Sequence, residues 1–295
     1  MQHNRRFAIV AGGLSLNYAR IGAGHPVVFI HGALTTLDDG LIALAEALAP
    51  GHELIAFDRP GHGDSQADGG SGSAWRQARL IHEAVQALGL ERPALVGHSF
   101  GGSVATAYAM LFPDDISGCV AIAPIAFPEP RLEQMMFGSR AVAGFGELTN
   151  AMAAPVDALI LPLLWHAMFL PQAMPTGFAA EFPFAQAGRR SQLRADGQDA
   201  LNMAVDLTRS ALSYAGARVP LKVLQGDRDA VVNPLVHGRR LAALWPGGEF
   251  INLPGLGHMA HHFAQDAVVD AIAAVGGAAP STSRRTSPSR KLAVA

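Results

Sequence analysis

The sequence predicts an α/β fold, a mostly parallel sheet wrapped by helices, and three observations carry that expectation. Short apolar runs alternate with stretches of helical spacing. The runs are unbroken rather than alternating, as strands covered on both faces are. Of the 295 residues, 49% are hydrophobic and 16% charged, enough apolar material for one large buried core.

The elements follow in order. Phe7–Ala11 and Leu16–Arg20 read as two strands across a Gly12-Gly13 turn, the start of a hairpin. Pro26–Ile30 is a buried strand, Leu41–Leu48 a helix, and Glu53–Phe57 a strand. A Gly-rich loop (Gly61–Gly72) leads into a helix over Trp75–Leu88, a strand at Ala94–Gly97, an Ala-rich helix at Gly101–Leu111 and a strand at Gly118–Ala123. From about Phe127 to Leu207 the alternation stops. Prolines recur there, helical fragments lie between them, and a helical insertion is expected. The rhythm resumes with a strand at Leu221–Gln225, a helix at Leu235–Leu244, a strand at Glu249–Leu253 and a final helix at Gln265–Val275. Residues 1–126 and 208–276 are therefore assigned to one core, 127–207 to a helical cap, and 277–295, which hold mostly Gly, Ala, Ser, Pro and Arg, to a disordered tail.

Net charge is −2, and Arg284, Arg285, Arg290 and Lys291 in the tail hide a body nearer −6. Such a body has no basic surplus to hold a phosphate backbone, so no nucleic-acid partner is expected. The single cysteine, Cys119, excludes an intramolecular disulfide framework and a cysteine-rich metal site, and suits a reducing compartment. The apolar stretch after Arg5-Arg6 is too short for a signal-peptide core. The longest apolar run, Ala158–Pro171, is broken by Pro162 and His166 and falls short of the roughly 20 residues that span a bilayer. A cytoplasmic protein without a membrane partner is the expectation.

The most informative residues are Gly97-His98-Ser99-Phe100-Gly101, set directly between a strand and a helix. This is the G-x-S-x-G pattern in the context it requires: a serine on a tight, strained turn, with glycines where side chains would strike the neighbouring strand and helix. A serine hydroxyl needs a base, and the base an orienting acid. His258 follows the last strand. Asp229 follows the preceding one, and Asp227, two residues nearer the strand, competes for the same role. The loop after Gly118–Ala123 carries no carboxylate. The chain order Ser99, Asp229, His258 matches this architecture. His261 and His262 are alternatives to His258, but they fall where the last helix begins and read as solvated or supporting histidines. The oxyanion of acyl transfer needs two amides, assigned to Phe100, after the nucleophile, and to Ala33, in the loop after Pro26–Ile30. His31 reads as a structural loop residue.

These residues, with His31-Gly32, Phe57-Asp58-Arg59-Pro60-Gly61-His62-Gly63-Asp64-Ser65, Gly226-Asp227-Arg228-Asp229 with Pro234, and Gly257-His258, give the chain its resemblance. Over about residues 7–276 it resembles the α/β-hydrolase fold superfamily in its compact, capped form. The resemblance implies an eight-stranded, mostly parallel sheet, no metal or organic cofactor, and loop-bracing roles for Asp58 and Arg59. Haloalkane dehalogenases and epoxide hydrolases are similar but carry aspartate where this chain has Ser99. The hydrolases of ring-fission products carry Gly-Pro-Gly after His-Gly, where this chain has Ala33-Leu34-Thr35-Thr36. Proline iminopeptidases carry a longer Gly-Gly-Pro-Gly and a tryptophan in the elbow. What remains is a serine esterase acting on a small-molecule carboxylic ester or lactone. C–C hydrolysis or perhydrolysis on the same triad, and a receptor that keeps the pocket, stay as alternatives.

Phe127, Met135, Met136, Phe137, Leu161, Leu163, Leu164, Trp165, Met168, Phe169, Phe178 and Phe182 make the insertion strongly apolar. Met136, Phe137, Trp165 and Phe169 are taken as the substrate-facing set, although the core of the insertion itself claims many of these side chains. Arg189, Arg190 and Arg194 suit either a substrate carboxylate or, by default, a solvated helix face.

Overall fold

The computed structural model describes residues 6–10 and 13–276; the expected disordered tail, and Ala11 and Gly12 of the first turn, lie outside the described residues. Eight strands form one sheet: β1 (Arg6–Ile9), β2 (Ser15–Gly22), β3 (His25–Ile30), β4 (His52–Phe57), β5 (Ala94–His98), β6 (Gly118–Ile122), β7 (Leu221–Gly226) and β8 (Gly248–Leu253), in the order β1-β2-β4-β3-β5-β6-β7-β8. β1–β2 and β2–β4 pair antiparallel, and every other pair is parallel.

The unbroken apolar runs feed two cores. On β3, Val28 and Ile30 pack to one side with the helices α2 (Ala74–Ala87), α3 (Phe100–Leu111) and α9 (Gly238–Leu244). Val27 and Phe29 pack to the other side with α1 (Asp38–Leu48) and α10 (Gln265–Gly276). β6 divides the same way, Cys119 and Ala121 against Val120 and Ile122. Each such side chain, fully withdrawn from water, contributes about 1.5–3 kcal/mol. Helices on both faces leave the carboxyl ends of β3, β5, β7 and β8 opening onto one edge, and the residues of interest follow them.

Between β6 and β7 the chain is helical: α4 (Leu132–Phe137), α5 (Gly146–Phe169), α6 (Thr176–Glu181), α7 (Phe184–Ala187) and α8 (Arg190–Ser213), with no strand among the described residues. Two features differ from the sequence reading. Pro155 and Pro162 lie inside the 24-residue α5 instead of breaking it. The carbonyls they leave without an amide, those of Ala151 and Ala158, belong to exposed residues where water can take the bond. By length and composition α5 is apolar enough to cross a membrane, which the interrupted run 158–171 did not suggest; it packs inward through Leu161, Trp165 and Phe169. α8 runs past residue 207, and its Met203 and Leu207 join the core under the sheet.

Candidate active site

Ser99 joins β5 to α3 at φ 55°, ψ −119°, a left-handed conformation that a side chain other than glycine adopts only under constraint. The constraint is visible. Its amide donates to the Ile122 carbonyl (2.9 Å), and its carbonyl accepts from Gly102 (2.9 Å) and Ile125 (3.2 Å). The flanking glycines are required by space: a Cβ on Gly97 would lie 2.3 Å from the Gly101 carbonyl oxygen, and one on Gly101 would lie 2.1 Å from that of Ile30. The His31–Ala33 loop passes so close that a Cβ on Gly32 would sit 3.0 Å from Cβ of Ser99.

Asp229 and His258 meet across the ends of β7 and β8. His258 Nδ1 donates to Asp229 Oδ2 at 3.0 Å, with both side chains buried. The carboxylate is fixed by three further donors, the Val231 and Val232 amides on Oδ1 (2.9 Å each) and Gln225 Nε2 on Oδ2 (3.1 Å). Burial alone would raise this carboxyl; His258, the Val232 amide and Gln225 outweigh it and hold it below the usual range. An ionised acceptor on Nδ1 leaves the lone pair of the imidazole on Nε2, the tautomer a general base needs. Asp227 is exposed, and its Oδ1 accepts from the Gly255 amide (2.7 Å), bracing the loop that precedes His258.

Ser99, His258 and Ala33 line one cavity of about 330 Å³ with Leu34, Met136, Phe137, Leu164 and Met168. Arg131, also on the cavity wall, is engaged by Glu129 (2.7 Å), Glu133 (2.9 Å) and the Val231 carbonyl (3.1 Å). Of the substrate-facing set, Met136 and Phe137 line the cavity; Trp165 and Phe169 do not. Trp165 is buried and donates its indole N–H to the Leu34 carbonyl at 3.0 Å, and Phe169 packs edge-on against Phe178. The reason is helical register. Leu161, Trp165 and Phe169 form the i, i+4, i+8 stripe that α5 buries among the other helices, while Leu164, Ala167 and Met168 form the stripe facing the cavity. Apolar composition alone could not choose between the two.

The remaining candidates fall in supporting places. His31 is buried, donates from Nδ1 to the Gly32 carbonyl (2.8 Å) and accepts the Arg59 amide on Nε2 (3.0 Å). Burial, with Arg59 and His62 adding to it, holds its pKa well below the ordinary value. Asp58 ties the Leu37 amide (2.9 Å), the Asn17 side chain (2.6 Å) and the Asp64 amide (3.0 Å) together. The guanidinium of Arg59 is fully buried, reaching Asp199 of α8 (2.5 Å), Gln77 of α2 (3.0 Å) and the Gly32 carbonyl (3.2 Å). Arg189 and Arg194 form exposed ion pairs with Asp64 and Glu147, away from the cavity.

Of the two places the sequence left open for His261 and His262, the solvated one is not taken. They precede α10 in a short 3₁₀ turn, are buried, and both point Nε2 at Asp39 Oδ1, at 3.0 and 2.8 Å. Asp39, at the start of α1, carries no signal of this role in the sequence, because its Thr35-Thr36-Leu37-Asp38-Asp39 context reads as an ordinary acidic helix start. Burial pushes Asp39 upward, yet the two imidazoles hold it well below the ordinary carboxylate value.

A model of the alpha/beta hydrolase fold family matches residues 25–265. The chain belongs to the alpha/beta hydrolase fold family. Among its relatives, the dihydrolipoyllysine-residue acetyltransferase component of the acetoin cleaving system of Cupriavidus necator is 34% identical over 116 residues, 39% of this chain and 31% of that protein. The chain therefore spans under a third of that relative in the match. The 2-hydroxy-6-oxo-2,4-heptadienoate hydrolase of Pseudomonas putida is 33% identical over 125 residues, 40% of this chain and 44% of the relative. Among solved structures, a hydrolase from Pseudomonas aeruginosa superposes with a TM-score of 0.72 at 21% identity, covering 94% of this chain and all of that one, a likeness of fold.

Proposed function

We propose that this alpha/beta hydrolase is a serine esterase acting on an uncharged carboxylic ester or lactone with an acyl or alkyl group of small to medium size. The observation that carries the reading is His258, held at 3.0 Å by the buried Asp229 and lining one mainly apolar cavity together with Ser99. In the mechanism that follows, His258 Nε2 takes the hydroxyl proton as Ser99 Oγ bonds to the ester carbonyl carbon. The amides of Ala33 and Phe100 hold the oxyanion, and His258 returns the proton to the departing alcohol. Water then attacks the acyl-enzyme with the same histidine as base, releasing the acid and free Ser99. Asp229 keeps the ring in its tautomer and stabilises the imidazolium. Residues 127–207 act as the cap that roofs the cavity, and the cytoplasm is the proposed compartment.

Charge supports a neutral substrate. Arg131, the basic side chain lining the cavity, is already shared by two carboxylates, and the Arg189 and Arg194 pairs lie outside it. The same feature weighs against C–C hydrolysis, the second reading, which the Pseudomonas putida relative suggests. The substrate in that relative's name is a carboxylate, and a cavity wall with two glutamates to one arginine repels it. A panel of p-nitrophenyl esters of graded acyl length, with lactones and a vinylogous diketone acid beside them, tests both. Ester turnover that Ser99→Ala lowers by on the order of 10⁴ or more, with the fold intact, is expected. Comparable hydrolysis by variant and parent overturns the proposal, and stoichiometric rather than catalytic ester consumption replaces it with a receptor.

A further inference from the structure

α5 carries a stripe that neither the cavity nor the other helices use. Leu148, Met152, Val156, Leu159 and Leu163 are each between 52% and 73% exposed, and Pro155 is exposed among them. At about 100° per residue the six fall on one ~100° arc of the helix and span about 22 Å along it. They lie apart from the Leu161, Trp165 and Phe169 stripe buried among the helices and from the Leu164, Ala167 and Met168 stripe on the cavity. No charge interrupts them. α5 holds two carboxylates, Glu147 and Asp157, which turn to Arg194 and Arg140, and it contains no Lys or Arg. The six residues present on the order of 700 Å² of apolar surface, above the roughly 300–600 Å² of the largest patch on a typical monomer.

We propose that this stripe is the seam of a homodimer, in which α5 of two copies packs antiparallel about a twofold axis. The spacing argues for a second copy of this chain. The six positions are separated by 4, 3, 1, 3 and 4 residues, so the stripe reads the same in both directions. A twofold axis between residues 155 and 156 sets Leu148 of one copy opposite Leu163 of the other, Met152 opposite Leu159, and Pro155 opposite Val156. Every contact is then made twice, as an isologous interface requires. Each partner brings close to the ~800 Å² of a standard protein–protein interface, and an uncharged seam sets up no repulsion between identical surfaces. A lipid surface fits less well. Helices that lie on bilayers flank their apolar face with Lys and Arg, and α5 has neither; its Leu161, Trp165 and Phe169 are moreover committed to the protein's own core. Pairing also steadies the cavity, because a helix fixed to its partner on one side holds Leu164, Ala167 and Met168 in place on another.

The test reads mass rather than turnover, so it stands apart from the reaction at Ser99. Sedimentation velocity of the full chain, from about 1 to about 100 μM, should show a reversible dimer. Met152→Glu or Leu159→Glu alone sets a carboxylate against an apolar residue on both sides of the axis. Each should weaken the dimer at least about tenfold, with melting unchanged because both positions are exposed. The double variant Met152→Glu/Leu159→Lys should recover the dimer, since each glutamate then meets the lysine of the other copy. Seven residues, about 10 Å, separate the two on their own helix, too far to pair within one chain. Leu212→Glu, on the exposed face of α8, should leave the dimer intact. A parent that stays monomeric at about 100 μM overturns the proposal. If that monomer binds phosphatidylcholine vesicles and Leu159→Glu abolishes the binding, the stripe belongs to lipid instead. Dimers that survive both single substitutions, or that the double variant does not restore, overturn it as well. If the variants do not fold, hydrogen exchange in the parent decides: residues 148–163 should gain protection as concentration rises, and no gain overturns the seam.

Discussion

Asp229→Asn separates the two carboxylates that the sequence offered. Oδ1 of Asp229 accepts two backbone amides at 2.9 Å, so the oxygen of an asparagine there must stay on them. Its NH₂ is then forced towards His258 Nδ1 and Gln225 Nε2. Facing a donor, His258 moves its proton to Nε2 and loses the lone pair needed to deprotonate Ser99. The loss of turnover is on the order of 10⁴, about 5.4 kcal/mol at 1.36 kcal/mol per decade, with KM little changed. Asp227→Asn is the internal comparison. Its single exposed bond, from the Gly255 amide, can be accepted by an amide oxygen, so stability should stay within about 0.5 kcal/mol. Initial rates on a p-nitrophenyl ester, with circular dichroism melts of both variants, measure this. If Asp229→Asn keeps more than about a tenth of the parental kcat while Asp227→Asn loses most of it, the tautomer argument is refuted.

Three further outcomes are expected. Asp199→Ala strands the buried Arg59 guanidinium, whose next carboxylate, Asp196, is 3.9 Å away; about 3–5 kcal/mol should be lost, and a denaturant titration showing less than about 1 kcal/mol would remove this ion pair from the account. Gly101→Ala drives a Cβ to within 2.1 Å of the Ile30 carbonyl oxygen, backbone against backbone, so soluble yield should collapse; a normally melting variant would show that the turn can open. His31 is held neutral in the fold while the unfolded chain takes up a proton near pH 6.5, so its contribution is complete above that value and lost as pH falls. Stability should drop by up to about 1.4 kcal/mol per pH unit below 6.5 from this ring, and His31→Asn should flatten that slope; an unchanged slope assigns the acid sensitivity elsewhere.

Local signals made most of the scaffold legible. Continuous apolar runs found β3 through β7 because both faces of those strands are covered, while β8 at the sheet edge is only partly covered, and the turn around Ser99 is legible because its small residues are adjacent in the chain. What the sequence hid is long-range pairing. Nothing near Asp39 signals that two histidines more than two hundred residues later will share its carboxylate. Likewise, the choice between Trp165 and Met168 as a cavity wall depends on how α5 is rotated against its neighbours, which one apolar helix cannot reveal by itself. The prolines in α5 misled for a related reason: a break is costly in a dry interior and tolerable where water stands by.

The short loop carrying Ala33 is moored to α5 and α8 at several points: Trp165 to the Leu34 carbonyl, Asp196 to the Leu34 amide, and Gln192 to the Thr35 carbonyl. Cavity wall and machinery are thereby one mechanical part. Any repacking of these helices that admits a bulkier guest also tugs on an amide assigned to receive the developing charge, so breadth of diet and speed of reaction should trade against each other in this protein.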